Sequence, residues 1–372
     1  MDLGLRSKGG TPAARATHGG TVRLDLHRHL EGSHPPAALA VVAQQFGVTD
    51  PFFYDAAAKR YRTPGELSGA LTMSAPSDDA RIFYECIVKA RAAYVSEEAI
   101  GELSRLTFLD AAADTDGFEM RVSLFSMTRT LLENEKKVWR DVPPLQFAER
   151  ARKLLRIVLA ARDAASAEAK KPMLVRVGFS RTFESEPHYR ALAAILPEHR
   201  KEVCGLDVLG IVTGADTEPM PAALRDILSG LRAHLPDLTI HAGEFAGHES
   251  VDRMLELRPD AIGHGVHSVE SDATMQRLAD GGVTLEVCPS SNRLLIPTAL
   301  LRLEARRGCP PLVALQQAQV HCVLGSDDPT PMGTTFSKEW EVARSLGVDL
   351  ARLEADTQRR WSQLVSASRP AP

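Results

Sequence analysis

His27 and His29 lie in the run Val22-Arg23-Leu24-Asp25-Leu26-His27-Arg28-His29-Leu30-Glu31-Gly32. Val22, Leu24 and Leu26 alternate with Arg23, Asp25 and His27, which is the period of a β-strand. Side chains at i and i+2 of a strand share a face, so the two imidazoles can close on one metal ion. The segment Glu31-Gly32-Ser33-His34-Pro35-Pro36 reads as a turn. The pair therefore falls at the C-terminal end of its strand, where α/β barrels keep their chemistry. Two histidines alone do not make a site, and the remaining ligands must come from elsewhere in the chain.

Three later strand-like runs offer them. The run 238–241 delivers His241, then a turn of small residues, then Glu244. The run 261–264 delivers His264 between Gly263 and Gly265, and the run 320–324 leads into Ser326-Asp327-Asp328-Pro329. Zinc favours imidazole nitrogen with a carboxylate or two, and a catalytic zinc keeps one position open for water. His27, His29, His241 and Asp327 would supply three nitrogens and one oxygen to one Zn2+ per chain. Glu244 and His264 remain as an ionisable pair for proton transfer.

Positioning these residues requires a closed parallel sheet. Eight strand-like runs, 22–26, 118–125, 173–179, 203–211, 238–241, 261–264, 283–288 and 320–324, alternate with amphipathic stretches such as 148–161, 222–233, 250–257 and 268–279. Alternation argues for parallel strands, and the count of eight argues for a TIM (β/α)8 barrel. Strands one and eight are neighbours in such a barrel, and strand five faces them across the mouth. Segment 37–95 exceeds the barrel minimum and is long enough for a helical lid after strand one; segment 293–319 is a second excess. Residues 1–20 read as a disordered tail and 21–365 as a single domain.

Composition excludes several classes. The 372 residues are 44% hydrophobic with a net charge of −4, which suits a soluble globular protein and offers no electrostatic footprint for nucleic acid or a membrane surface. No apolar run approaches the ~20 residues that span a bilayer. Cys86, Cys204, Cys288, Cys309 and Cys322 are scattered without a C-x-x-C and read as free thiols. With no apolar secretory segment at the start, the expected location is cytoplasmic. G-x-G-x-x-G and G-x-x-x-x-G-K are absent, so the usual phosphate loops are missing. The expected partner is a small molecule, and the oligomeric state is left open.

The chain resembles the adenosine deaminase family of metal-dependent hydrolases. The resemblance rests on His27-Arg28-His29-Leu30-Glu31-Gly32-Ser33, Glu119-Met120-Arg121-Val122-Ser123, Gly205-Leu206-Asp207-Val208-Leu209-Gly210, His241-Ala242-Gly243-Glu244, Ile262-Gly263-His264-Gly265, Glu286-Val287-Cys288-Pro289-Ser290-Ser291-Asn292 and Ser326-Asp327-Asp328-Pro329, in that order. It implies that His27, His29, His241 and Asp327 hold one zinc, which lowers the pKa of a water. It further implies that His264 orients and deprotonates that water and that Glu244 protonates purine N1. Asp328 would hydrogen-bond N7 and the Gly210 N–H would bond N3, with His29 and Glu31 also facing the substrate. Protonating N1 requires a Glu244 whose pKa is raised, as burial would raise it.

The expected reaction is hydrolysis of the 6-amino group of adenosine or deoxyadenosine, giving inosine or deoxyinosine and ammonia. Adenine deaminase and aminodeoxyfutalosine deaminase are the alternatives, because Glu31 stands where the family's nucleoside deaminases usually carry Asp. Ile211-Val212-Thr213 replaces acidic residues usual after the glycine, and Leu124 replaces a usual proline. A binuclear barrel hydrolase would carry a lysine on strand four, and 203–211 has none. The small zinc deaminases need P-C-x-x-C, which is absent. A barrel that binds without catalysis is disfavoured because every ligand and both proton-transfer groups are present. His18, His34, His188, His199, His234, His248 and His321 read as surface or packing residues, His267 as packing more readily than as support for His264, Cys288 as a strand end, and Asp207 as support for the Gly210 turn.

Overall fold

The computed structural model describes residues 22–212 and 216–367. The expected tail 1–20, with His18, lies outside them, as does Thr213. Eight strands form one parallel sheet: β1 (Leu24–His29), β2 (Gly117–Val122), β3 (Met173–Ser180), β4 (Gly205–Leu209), β5 (Leu238–Ala242), β6 (Ala261–His264), β7 (Thr284–Val287) and β8 (His321–Leu324). Neighbours in sequence are neighbours in the sheet, the order of a (β/α)8 barrel. Closure between β8 and β1 rests on a bridge of Arg28 to Asp327, in which the His29 N–H donates to Asp327 O and the Asp327 N–H to His27 O, both at 2.8 Å. The seam of the barrel is thus stitched at the predicted metal ligands.

Three strands differ from the pattern reading by more than one residue at an end. β1 extends through His29, so both histidines lie within the strand, and its pairing register shifts between Asp25 and Arg28. β2 ends at Val122, and Leu124 and Phe125 open the helix Leu124–Asn134; the alternation of Phe118, Met120, Val122 and Leu124 runs across that boundary without marking it. β4 is confined to Gly205–Leu209, because Gly210 turns the chain with a φ of +84°.

The excess segment after β1 is helical, as expected. It comprises α1 (Pro36–Gln45), a two-stranded hairpin of Tyr54–Asp55 and Arg60–Tyr61, α2 (Pro64–Leu71) and α3 (Ala80–Arg91), followed by α4 (Glu97–Asp114), which leads into β2. Thr63 starts α2 with a reciprocal cap: its hydroxyl accepts from the Glu66 N–H while Glu66 accepts from the Thr63 N–H. Segment 293–319 forms the helices Pro297–Arg307 and Pro311–Gln317. Among the described residues no helix is long and apolar enough to cross a membrane. All five cysteines are free.

The barrel interior is not filled with branched apolar layers alone. Glu286, Arg121, Glu119, Arg176, Asp237 and Arg360 form a buried chain of ion pairs. Arg121 pairs with Glu286 and Glu119; Arg176 spans Glu119 and Asp237 at 2.7 Å each; Arg360, from the C-terminal helix Leu350–Ala367, takes both oxygens of Asp237. Such a chain is tolerable only because each charge meets another, since an unpaired charge at that depth is costly.

Candidate active site

The predicted ligands converge at the barrel mouth. His29 Nε2 lies 3.3 Å from both His27 Nε2 and His241 Nε2 and 3.4 Å from Asp327 Oδ1, and His27 Nε2 lies 3.6 Å from the same oxygen. A tetrahedral zinc with bonds of 2.0–2.2 Å has ligand-to-ligand edges of roughly 3.3–3.6 Å, so the donor set fits that ion in both chemistry and spacing. Gly263 makes room for it: a Cβ there would sit 3.0 Å from His241 Cγ and from His27 Cε1. Asp327 and His264 both have φ of +60°, an uncommon conformation for residues other than glycine and one often found at functional positions.

Residues deeper in the barrel set the imidazole tautomers. Glu286 Oε2 lies 3.1 Å from His27 Nδ1, and Asp207 Oδ1 lies 3.1 Å from His241 Nδ1. Each carboxylate accepts an Nδ1–H, leaving the Nε2 lone pair for a metal. Asp207 therefore supports His241 and not the Gly210 turn, a correction that follows from strand alternation turning it inward. Although burial alone would raise both carboxyls, their ionic partners hold them well below the usual range: Arg121 and His27 for Glu286, His241 and Arg121 for Asp207. Burial keeps His29 and His241 below the usual imidazole pKa, hence neutral and able to ligate. For His27, burial and Arg121 act downward, but bonds to Asp327 and Glu286 prevail and raise it. That rise belongs to the metal-free cluster, because a cation at the centre would displace the proton.

The proton-transfer candidates flank this cluster. His264 Nε2 stands 3.6 Å from Glu244 Oε1 and 3.9 Å from Asp327 Oδ2. Burial pushes Glu244 well above the usual carboxyl range, and the charges of Asp327 and Glu218 add to the shift. Burial drives His264 well below its usual value. A protonated acid and a neutral base thus face the same point. Asp328 is likewise raised by burial and by Asp327, whereas Asp327, though buried, is pulled well down by His27, His264 and His29. The paired aspartates are thus driven apart, Asp327 toward the ionised form and Asp328 toward the neutral acid.

Several residues that sequence reasoning missed hold these groups in place. The Asn292 amide nitrogen Nδ2 lies 3.1 Å from His264 Nδ1 and fixes the orientation of that ring. Glu218 accepts the N–H groups of Gly243, Glu244 and Phe245 at 2.7, 3.0 and 2.9 Å, clamping the loop that carries Glu244. Arg181 donates to the carbonyl of His241. Of the histidines read as packing, His34 bonds Thr107 and Tyr94, His188 packs on Trp139 and Phe147, and His321 bonds Asp356. His267 pairs with Glu270, away from His264. The thiol of Cys288 lies close to His27 and His264, but burial keeps it protonated and it points at the Glu286 carbonyl.

Glu31, Gly210 and Asp328, the predicted substrate contacts, line one cavity of about 350 Å3 together with His29, Glu244 and His264. Phe83, Tyr84 and Ile87 of α3, with Phe245 and Leu295, give it an apolar roof. Glu31 is buried, which raises its carboxyl, and Oε1 accepts the Ser123 N–H at 2.9 Å. The sequence family model described as adenosine deaminase matches residues 23–359. The chain belongs to the adenosine deaminase family. It is thus a hydrolytic deaminase acting on a carbon–nitrogen bond. Among its relatives, an adenine deaminase of Rhizobium johnstonii is 30% identical over 346 residues, covering 90% of this chain and 92% of its own. The barrel is similar to that of an adenine deaminase from Arthrobacter aurescens, with a TM-score of 0.71 at 20% identity over 94% of this chain and 98% of the other. It is also similar to an amidohydrolase from Burkholderia ambifaria with bound Zn, with a TM-score of 0.66 at 17% identity over 96% and 90%.

Proposed function

We propose that this enzyme hydrolyses the 6-amino group of an adenine-type purine, using one zinc held by His27, His29, His241 and Asp327. The observation that carries the reading is that Glu244 and Asp328, two buried carboxyls, line one cavity with His29, His241, His264 and Asp327, where burial pushes both toward the protonated form. Each is a hydrogen-bond donor where a carboxylate would only accept, and the ring nitrogens N1 and N7 of a 6-aminopurine are acceptors. When bound, zinc supplies a water of lowered pKa.

Glu244 gives its proton to N1, which makes C6 electrophilic. His264 Nε2 accepts the proton that water loses as its oxygen bonds to C6. The C6–N bond then breaks, that proton leaves with ammonia, and the C6 hydroxyl gives its proton back to Glu244, so that a 6-oxopurine remains. Asp328 holds N7 and the Gly210 N–H holds N3, so a base lacking those acceptors would leave buried polar groups unpaired.

Adenosine, the substrate expected from the sequence, has less support than the adenine moiety itself, since full-length relatives are described as adenine deaminases. The test is ammonia release by zinc-loaded enzyme from adenine, adenosine, deoxyadenosine, 5′-modified adenosines and aminodeoxyfutalosine. Turnover of at least one is expected; turnover of none would defeat the reading.

A further inference from the structure

With N1 on Glu244 after β5, N7 on Asp328 after β8 and N3 on Gly210 after β4, the remaining edge of the purine, N9, faces the ends of β1, β2 and β3. That arc is not apolar. Beside Glu31 it presents Ser123 and Ser126 after β2, whose hydroxyls lie 3.0 Å apart, and Ser180 and Thr182 after β3, whose hydroxyls lie 2.9 Å apart. All four line the cavity that holds the metal ligands.

Arg91, the last residue of α3, lines the same cavity. Among the described residues its Nε is buried without a hydrogen-bond partner, and its charge acts on Glu31 without an ion pair being formed. The contrast with Arg121, Arg176 and Arg360 is sharp, for each of those grips carboxylates. Burying a guanidinium nitrogen unpaired is costly, and the cost is removed when an anion arrives. The cavity's size also fits something larger than a bare purine, since about 350 Å3 lies in the range of pockets for drug-sized ligands.

We propose that Arg91, Ser123, Ser126, Ser180 and Thr182 form a second subsite, which takes an N9 substituent that carries hydroxyls and ends in an anion. This rests on the proposed function, because the purine's orientation sets where N9 points. The anion could be a phosphate ester or a carboxylate; guanidinium chemistry serves both. The hydroxyl pairs hold the spacer and Arg91 holds the charge.

The test compares kcat/KM of zinc-loaded wild type, Arg91→Met and Arg91→Lys on adenine, adenosine, adenosine 5′-monophosphate and adenosine 5′-carboxylate. An anionic nucleoside is expected to exceed neutral adenosine by about tenfold or more, chiefly through KM. Arg91→Met should erase that advantage and Arg91→Lys should keep part of it. The phosphate and carboxylate arms identify which anion is seated. Calorimetry with inosine 5′-monophosphate and inosine gives a readout separate from turnover: the monophosphate should bind tighter to wild type, less so as salt rises, and equally to inosine in Arg91→Met. Turnover of adenine with no anionic preference, or an equal loss on all four substrates in Arg91→Met, overturns the subsite alone. Failure of every 6-aminopurine, adenine included, overturns the functional reading and the subsite with it.

Discussion

The mouth of the barrel has two unlike halves. On the side of β1, β5, β6 and β8, each candidate ligand or proton-transfer group has a built support: His27 on Glu286, His241 on Asp207, His264 on Asn292, and the Glu244 loop on Glu218. On the side of β2, β3 and α3, serine and threonine hydroxyls meet mainly their own neighbours, and among the described residues Arg91 Nε has no hydrogen-bond partner. The first half is organised before a substrate arrives, which is what electrostatic catalysis requires. The second is left for the substrate to complete. A fold that fixes its chemistry on rigid strand ends and delegates recognition to loops can change substrate without changing reaction.

The largest effect should come from emptying the committed half. His27→Ala and Asp327→Ala should each lose zinc, measured as metal per chain after dialysis, and lower kcat on the order of 10³-fold or more. Full zinc content in either variant would mean that the metal sits elsewhere. Glu244→Gln should keep zinc and lose about 10²-fold or more in kcat, because glutamine can hold N1 but cannot deliver a proton. A fully active Glu244→Gln would remove the proton donor from the mechanism.

One step deeper, Glu286→Gln should weaken zinc binding by about 10- to 100-fold while sparing the four ligands, by loosening His27. Arg121→Met should act on stability instead. It leaves Glu119 and Glu286 short of their shared cation, and breaking a buried pair costs about 3–5 kcal/mol. Urea midpoints for the two variants would separate the effects, and an Arg121→Met variant as stable as wild type would show that the interior chain does not carry load.

Beside the open half, a buried histidine governs how the fold answers acid. His34 ties the turn after β1 to the lid, with Nδ1 on Thr107 at 2.8 Å and Nε2 on Tyr94 at 2.6 Å. Burial, with Arg91 adding to it, lowers its pKa from 6.5 to about 3. The unfolded chain therefore binds the proton more readily between those values. Stability is intact above pH 6.5 and falls as pH drops toward 3, by several kcal/mol at the limit. Denaturation midpoints from pH 7 to pH 4 should show that slope, and His34→Gln should flatten it. Hydrogen exchange at pH 4.5 should quicken first around Tyr94 and Thr107.

What was legible in the sequence follows the same division. The convergence of His27, His29, His241 and Asp327 could be read because each sits at the end of a strand in a short motif, and strand period plus barrel closure bring such ends together. Their supports could not be read, since Glu286 is 259 residues from His27 and only closure makes them partners. A weak signal existed: Glu119, Arg121, Arg176, Asp207 and Glu286 are charged residues in strands that a barrel buries on both faces, where such residues must find one another. Arg91 gave no signal at all. It is one more cation near the end of an amphipathic helix, and only the absence of a hydrogen-bond partner for its Nε in three dimensions singles it out.

Glu31 stands on the border between the halves, and its substitution should have the smallest effect and the most specific one. Its carboxyl reaches from the end of β1 to the Ser123 N–H at the start of the open arc. Glu31→Asp, one methylene shorter, should lose that bond, a change worth about 1 kcal/mol or roughly fivefold in an equilibrium. Zinc content and the pH profile of kcat should stay as they are, because among the described residues the Glu31 carboxyl is bonded to Ser123 and not to the candidate ligands. The change should appear in ranking, as an altered ratio of kcat/KM between adenine and its N9-substituted derivatives. An equal loss on all of them would place Glu31 with the committed half and move the boundary between chemistry and recognition one strand further round the barrel.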